Sequence, residues 1–272
     1  MGIKERLTNR VYLLELFAFT NLAFLALDIY VAHMVNAFAY KAEWLPFIFS
    51  IVGPILLLPS IIGSDPRAAL ARWPGLIVGG MSILLGVLGL YFHLESHFFN
   101  SQTIASLVYT APFVAPLAYT GVGFLLLLNR MVEPDSIDWG RWVVILALGG
   151  FIGNFLLSLF DHAQNGFFHI EEWIPVLSSA FAVTFLLVLC SGVFQRNYLR
   201  WCLGVMGLQF LVGSLGFYYH FSANLVGGSK SAMDNFIYGA PAFAPLLFVN
   251  LSLLAALGIW SILAHVKPQI DT

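Results

Sequence analysis

Two stretches of the chain carry the same reactive side chains at the same spacing. His33 to Pro46 reads H-M-V-N-A-F-A-Y-K-A-E-W-L-P, and His162 to Pro175 reads H-A-Q-N-G-F-F-H-I-E-E-W-I-P. Both spell H-x-x-N-x-F-x-x-x-x-E-W-[LI]-P without a gap. Imidazole and carboxylate together suit iron, copper or zinc, and a carboxylate beside an imidazole can also accept a proton. Glu43 and Glu172 are therefore expected to act as ligands or proton acceptors beside His33 and His162.

Two further histidines recur in the same order. Leu88 to His93 (L-G-L-Y-F-H) matches Leu215 to His220 (L-G-F-Y-Y-H). His97 follows His93 by four positions, which on a helix puts both rings on one face, while Asn224 stands four after His220. His169 lies in a loop near the second motif. The metal-ligand set expected from sequence is His33, His93, His97, His162, His169 and His220 with Glu43 and Glu172. Asn36 and Asn165 would orient their histidines from behind.

A b-type haem is the other cofactor to weigh, since a membrane bundle can hold one between two axial histidines. Gly89 and Gly216 each stand one helical turn before a histidine, where a bare patch would face a flat ring. Tyr109 to Pro116 (Y-T-A-P-F-V-A-P) and Tyr238 to Pro245 (Y-G-A-P-A-F-A-P) form another repeated pair. Each proline removes a backbone donor and frees the carbonyl four residues back, here those of Val108 and Ile237. A kinked helix lining a cavity is expected, with Tyr109 and Tyr238 as hydrogen-bond or redox partners. The competing reading is structural: Glu-Trp-x-Pro is good helix-start grammar, Asn can close a helix end, and Trp44 and Trp173 suit a membrane interface.

The elements that must position these residues follow from composition. The chain has 272 residues, of which 60% are hydrophobic and 10% charged, with a mean hydropathy of +0.87. Soluble domains carry roughly 25% charged residues, so the chain reads as an all-α integral membrane protein. The net charge of −2 gives no reason to expect a nucleic-acid partner. Cys190 and Cys202 lack metal spacing and read as small buried hydrophobes. A bilayer span needs about 20 apolar residues, which gives eight spans, near 11–33, 45–63, 74–95, 104–128, 142–161, 173–194, 201–221 and 235–264. The first is too long for a signal-peptide core and contains Asp28, so it reads as a retained helix.

Ten of the twelve Lys and Arg residues fall on one side of this map: Lys4, Arg6, Arg10, Arg67, Arg72, Arg130, Arg141, Arg196, Arg200 and Lys267. Lys41 and Lys230 fall on the other. The positive-inside rule makes the first side cytoplasmic, with both termini inside and the repeated histidines at the outer, periplasmic face of a bacterial inner membrane. Four spans per half give both halves one orientation. The expected architecture is two tandem four-helix repeats, 1–128 and 142–272, joined by a charged linker, 129–141, and related by a pseudo-two-fold axis along the membrane normal. Glu15 falls near the inner surface and reads as interfacial; Asp28 is the stronger site candidate within a span.

The function these readings favour is a redox or electron-transfer membrane protein, or the membrane subunit of an oxidoreductase, with a metal or haem site at its outer face. Its partners would be the lipid bilayer, quinone and other membrane or periplasmic redox subunits. A transporter or channel using a pseudo-symmetric cavity, and a structural or assembly subunit, are the alternatives.

Overall fold

The computed structural model describes residues 2–229 and 231–266, and every regular element among them is helical. Lys230 and Lys267, each assigned a side from sequence, lie outside the described residues, as does 268–272. A short helix α1 (Ile3–Thr8) precedes α2 (Arg10–Met34), α3 (Trp44–Gly63) and α4 (Ala69–Glu95). Two short helices, α5 (Phe98–Ser101) and α6 (Ile104–Val108), then lead to α7 (Leu117–Met131). The second half runs α8 (Ile137–Gln164), α9 (Trp173–Cys190), α10 (Arg196–Val226), the short α11 (Ala232–Tyr238) and α12 (Leu246–Leu263).

Among the described residues, seven helices are long and apolar enough to cross a membrane: α2, α3, α4, α8, α9, α10 and α12. The eighth expected span is not one continuous helix. Residues 104–128 divide into α6, a turn, and the 15-residue α7. At 1.5 Å per residue α7 covers roughly 22 Å, short of the ~30 Å hydrocarbon layer. The expected span at 235–264 is divided in the same way, into α11 and α12. Paired prolines cause both breaks. Pro112 and Pro116, like Pro241 and Pro245, cannot donate into a helix, so the chain closes tight turns instead. Ala115 N bonds Pro112 O at 3.1 Å and Tyr119 N bonds Pro116 O at 3.0 Å; Ala244 N bonds Pro241 O at 3.3 Å and Phe248 N bonds Pro245 O at 3.1 Å. The expected kinks are therefore interruptions.

Helix pairing follows one pattern in both halves. α2 packs on α3, α3 on α4, α4 on α7 and α7 back on α2; α8 packs on α9, α9 on α10, α10 on α12 and α12 back on α8. Contacts between the halves are reciprocal: α7 meets α8 as α12 meets α2, and α6 meets α8 as α11 meets α2. The freed Val108 carbonyl accepts Gln164 Nε2 at 2.8 Å across this boundary, so it stitches helices rather than lining a cavity. Buried residues make up 22% to 44% of each long apolar window. The remaining apolar surface is what lipid would cover.

Both ends of the described chain lie at one end of the bundle. Arg10 pairs with Asp135 at 3.6 Å, and His265 Nε2 lies 2.8 Å from the Asp135 carbonyl oxygen. Arg67 joins this basic end through Asn129 O at 3.0 Å and Glu133 at 3.6 Å. Between the halves, α7 continues to Met131 and α8 starts at Ile137, capped by Ser136 Oγ accepting from Trp139 N.

The basic end also corrects the reading of Glu15. Its side chain is fully buried, not interfacial, and forms a two-pronged ion pair with Arg130 (Nη2 to Oε1 2.6 Å, Nη1 to Oε2 3.0 Å). Ser60 Oγ donates to Oε1 at 2.7 Å and Asn129 Nδ2 to Oε2 at 3.0 Å. Gly75 makes room: a Cβ there would fall 1.9 Å from the guanidinium. The cluster ties α2, α3, α4 and α7 together. Above it the first-half core is apolar, built on Leu22, Leu57, Val78 and Leu126.

Candidate metal centres at the histidine end

The repeated motif is first a helix ending. His33 lies in the last turn of α2, and Phe38 N bonds back to its carbonyl at 3.1 Å while Ala37 N bonds Met34 O at 3.1 Å. Phe167 N to His162 O (3.1 Å) and Gly166 N to Ala163 O (3.2 Å) repeat the arrangement at the end of α8. This double bond is the Schellman closure, and it needs a left-handed residue just past the helix. Ala37 (φ 55°) and Gly166 (φ 74°) supply it, and Phe38 and Phe167 continue in the same region at 52° and 54°. The reversal lays each Phe against its histidine, with ring centroids 5.7 Å apart for Phe38–His33 and 6.1 Å for Phe167–His162. Each Phe also stacks on the motif's Trp, at 4.4 Å on Trp44 and 4.0 Å on Trp173.

One 3₁₀ turn, Lys41–Glu43 or Ile170–Glu172, then returns the carboxylate to the histidine. Glu43 Oε1 lies 3.7 Å from His33 Nδ1, and Glu172 Oε2 lies 3.6 Å from His162 Nδ1. The next helix starts at Trp44 or Trp173. Its Pro46 carbonyl accepts Tyr119 OH at 2.7 Å, and Ser50 is in close contact with that hydroxyl. In the second half, Ser179 Oγ serves the Pro175 carbonyl at 2.7 Å.

The second histidine of each pair is held by a proline break. His93 Nδ1 lies 2.9 Å from the Pro112 carbonyl oxygen, and His220 Nδ1 lies 2.9 Å from that of Pro241. A carbonyl only accepts, so each Nδ1 carries a proton, and in the neutral form of the ring Nε2 keeps its lone pair. The loops themselves are locked: Ala111 N donates to Ser96 Oγ at 3.1 Å, and Ala240 N to Asn224 Oδ1 at 3.1 Å. The four histidines thus meet in two pairs. His33 and His93 have ring centroids 6.2 Å apart at 70°, and His162 and His220 are 6.4 Å apart at 86°.

Other sequence candidates are placed differently. α4 ends at Glu95, and His97 has left the helix (φ −153°, ψ −37°), so it does not share a helical face with His93. His97 and His169 are both exposed. Tyr109 and Tyr238, at the ends of α6 and α11, are 63% and 67% exposed, which points them to the surroundings rather than to the histidine pairs. The space beside Gly89 and Gly216 is filled: a Cβ at Gly89 would meet Pro116 at 2.7 Å, and one at Gly216 would meet Pro245 at 3.0 Å. These glycines admit the proline breaks and present no open slot for a macrocycle. Asn36 bonds the carboxylate, not the ring (Nδ2 to Glu43 Oε1, 2.7 Å), and Asn165 braces its own turn by accepting Phe167 N at 3.2 Å. Among the described residues, no three His, Cys, Asp or Glu side chains already converge tightly enough to hold a metal ion. Each histidine pair stands beside one carboxylate, Glu43 or Glu172.

Sequence reasoning singled out the histidines and glutamates but missed what braces them. The shared Phe was a visible signal, being identical in both motifs. The Pro112 and Pro241 carbonyls left none, because any residue carries a carbonyl. No family model matches the chain, and neither a curated protein nor a solved structure matches it.

Proposed function

We propose that this is a membrane protein of eight crossings, two fused four-helix bundles related by a pseudo-two-fold axis along the membrane normal, that holds a transition-metal ion at each of two centres on its outer face. The first centre uses His33, His93 and Glu43; the second uses His162, His220 and Glu172. Two imidazoles and one carboxylate leave coordination positions open, a set that suits iron(II) and is also within the range of zinc and copper. A metal so held would support redox chemistry at the periplasmic surface of a bacterial inner membrane, alone or as the membrane subunit of an oxidoreductase exchanging electrons with quinone.

The single observation that carries this reading is the locked pair of imidazoles. A carbonyl bonded to Nδ1, freeing Nε2, is how proteins usually orient a metal-binding histidine, and it occurs at both His93 and His220. Recurrence on corresponding helices argues against accident. The reciprocal contacts between halves support the axis, and the meeting of both described chain ends at Asp135 supports an even number of crossings. The filled space beside Gly89 and Gly216 favours a bare ion over haem.

X-ray absorption at the metal edge of protein purified in mild detergent tests the assignment. Imidazole scattering with nitrogen at about 2.0–2.1 Å is expected for a zinc-like ion, with no Soret band in the visible spectrum. A metal lacking imidazole ligands, or a haem spectrum, would overturn it.

A further inference from the structure

We propose that Asp28, at the boundary between the two halves, binds a lipophilic organic cation, an ammonium or phosphonium centre shielded by alkyl or aryl groups. Asp28 lies on α2 about 9 Å inward of the end of that helix at Met34. It is half-buried, and among the described residues it makes no hydrogen bond and no ion pair. Tyr119, whose hydroxyl lies within electrostatic reach, donates instead to the Pro46 carbonyl at 2.7 Å. An ionisable side chain inside a membrane helix is costly, and where one is kept it usually serves a site.

Helical geometry turns Asp28 toward the second half. Asn21 and Phe24 stand two turns and one turn before it on the same face, and both reach across the boundary. Asn250 Nδ2 donates to Asn21 Oδ1 at 2.9 Å, and Phe24 meets Phe243 edge-on with ring centroids 5.2 Å apart. The two amides engage each other and the two rings close the boundary inward of Asp28, which leaves an uncompensated carboxylate beside an aromatic pair. Leu27, next to it, is 47% exposed on the surface that lipid would cover, so the way in is from the bilayer. The opposite boundary is built differently. Leu157 stands at the place of Asp28 and Gly153 at that of Phe24, and Val114 packs so closely on Gly153 that a Cβ there would meet it at 2.9 Å. Asp161 belongs to the last turn of α8, one turn further out than Leu157.

These surroundings select one class of ligand. A hard metal cation takes about six or more oxygen ligands, whereas here only the Asp28 carboxylate is free and the Asn21 oxygen is already engaged. A small hydrated cation would lose water that this site does not replace. An organic cation carries its own apolar shell and has little hydration to lose. Its charge compensates the carboxylate, and the ring faces attract it as well.

The test is equilibrium dialysis of full-length protein in mild detergent with radiolabelled tetraphenylphosphonium as the probe. One bound cation per chain is expected. Asp28→Asn, which is nearly isosteric, should weaken binding by at least about tenfold. Asp28→Glu should retain it, and Phe243→Ala should weaken it by about fivefold. Asp161→Asn, and the combined His93→Ala and His220→Ala variant, should bind as the unaltered protein does, which separates this site from the histidine pairs and their metal. Uncharged triphenylphosphine oxide should not compete with the cation, and that requirement for charge is read on the unaltered protein whatever the variants do to folding. Equal binding by Asp28→Asn, effective competition by the uncharged analogue, or no binding by the unaltered protein would overturn the proposal and leave the metal reading untouched.

Discussion

His220 Nδ1 lies 2.9 Å from the carbonyl oxygen of Pro241, joining the end of one long helix to the proline break that opens another. The same bond joins His93 to Pro112. A proline break thereby becomes a means of aiming an imidazole. Both rings should consequently be Nδ1–H tautomers with a bare Nε2. Nitrogen-15 chemical shifts of histidine-labelled, metal-free protein in detergent would show this, with His93→Gln and His220→Gln used for assignment. An Nε2–H tautomer at either position would mean that the bond to proline does not form.

The buried pair of Glu15 and Arg130 should behave as a unit. Replacing Arg130 by Leu leaves the carboxylate uncompensated among Ser60 and Asn129, and breaking a buried pair in this way costs about 3–5 kcal/mol. Removing both charges together, with Glu15→Met and Arg130→Leu, should cost less than the single change. Reversible unfolding in mixed micelles measures the difference. Equal losses in the single and double variants would show that the charges do not depend on one another.

Glycines provide a graded test of packing. Gly75→Ala would place a methyl group 1.9 Å from the Arg130 guanidinium and should destabilise severely, as Arg130→Leu does. Gly89→Ala meets Pro116 at 2.7 Å and should disturb the His93 end. Gly80→Ala meets nothing within 4 Å, and in a helix interior it should stabilise by up to ~1 kcal/mol. Thermal unfolding of the three variants should rank them in that order. A neutral Gly75→Ala would contradict the buried placement of Arg130.

Much of the frame was legible in the sequence because a membrane helix announces itself by length and apolarity. Six of the eight expected spans emerged as single long apolar helices near their expected places. The two proline-broken segments were misread as continuous, since hydropathy does not register a missing backbone donor. At the site, the four histidines and two glutamates stood out by repetition. Phe38 and Phe167 were just as visible in the repeat but carry no ligand chemistry that would single them out; they close the turn that brings Glu43 and Glu172 back. Glu15 and Arg130 are far apart in sequence and occur only in the first half, so neither periodicity nor repetition could pair them.

The proposed sidedness of the bundle rests on the basic end. Asp135→Cys, at a side chain 90% exposed among the basic residues, should resist an impermeant thiol reagent added to intact cells. His169→Cys, exposed at the histidine end, should react. A background with Cys190 replaced by Ser removes the half-buried native thiol. Labelling of Asp135→Cys with protection of His169→Cys would invert the orientation and move both centres to the cytoplasm.

The most direct measurement is metal per chain by plasma mass spectrometry, on protein purified in mild detergent without chelator and equilibrated with one equivalent excess of iron(II) or zinc(II) before desalting. Two ions per chain are expected, falling to one in His93→Ala, to one in His220→Ala, and to none in the double variant. A chain that retains no metal, or whose metal content is the same in all four proteins, would contradict the account.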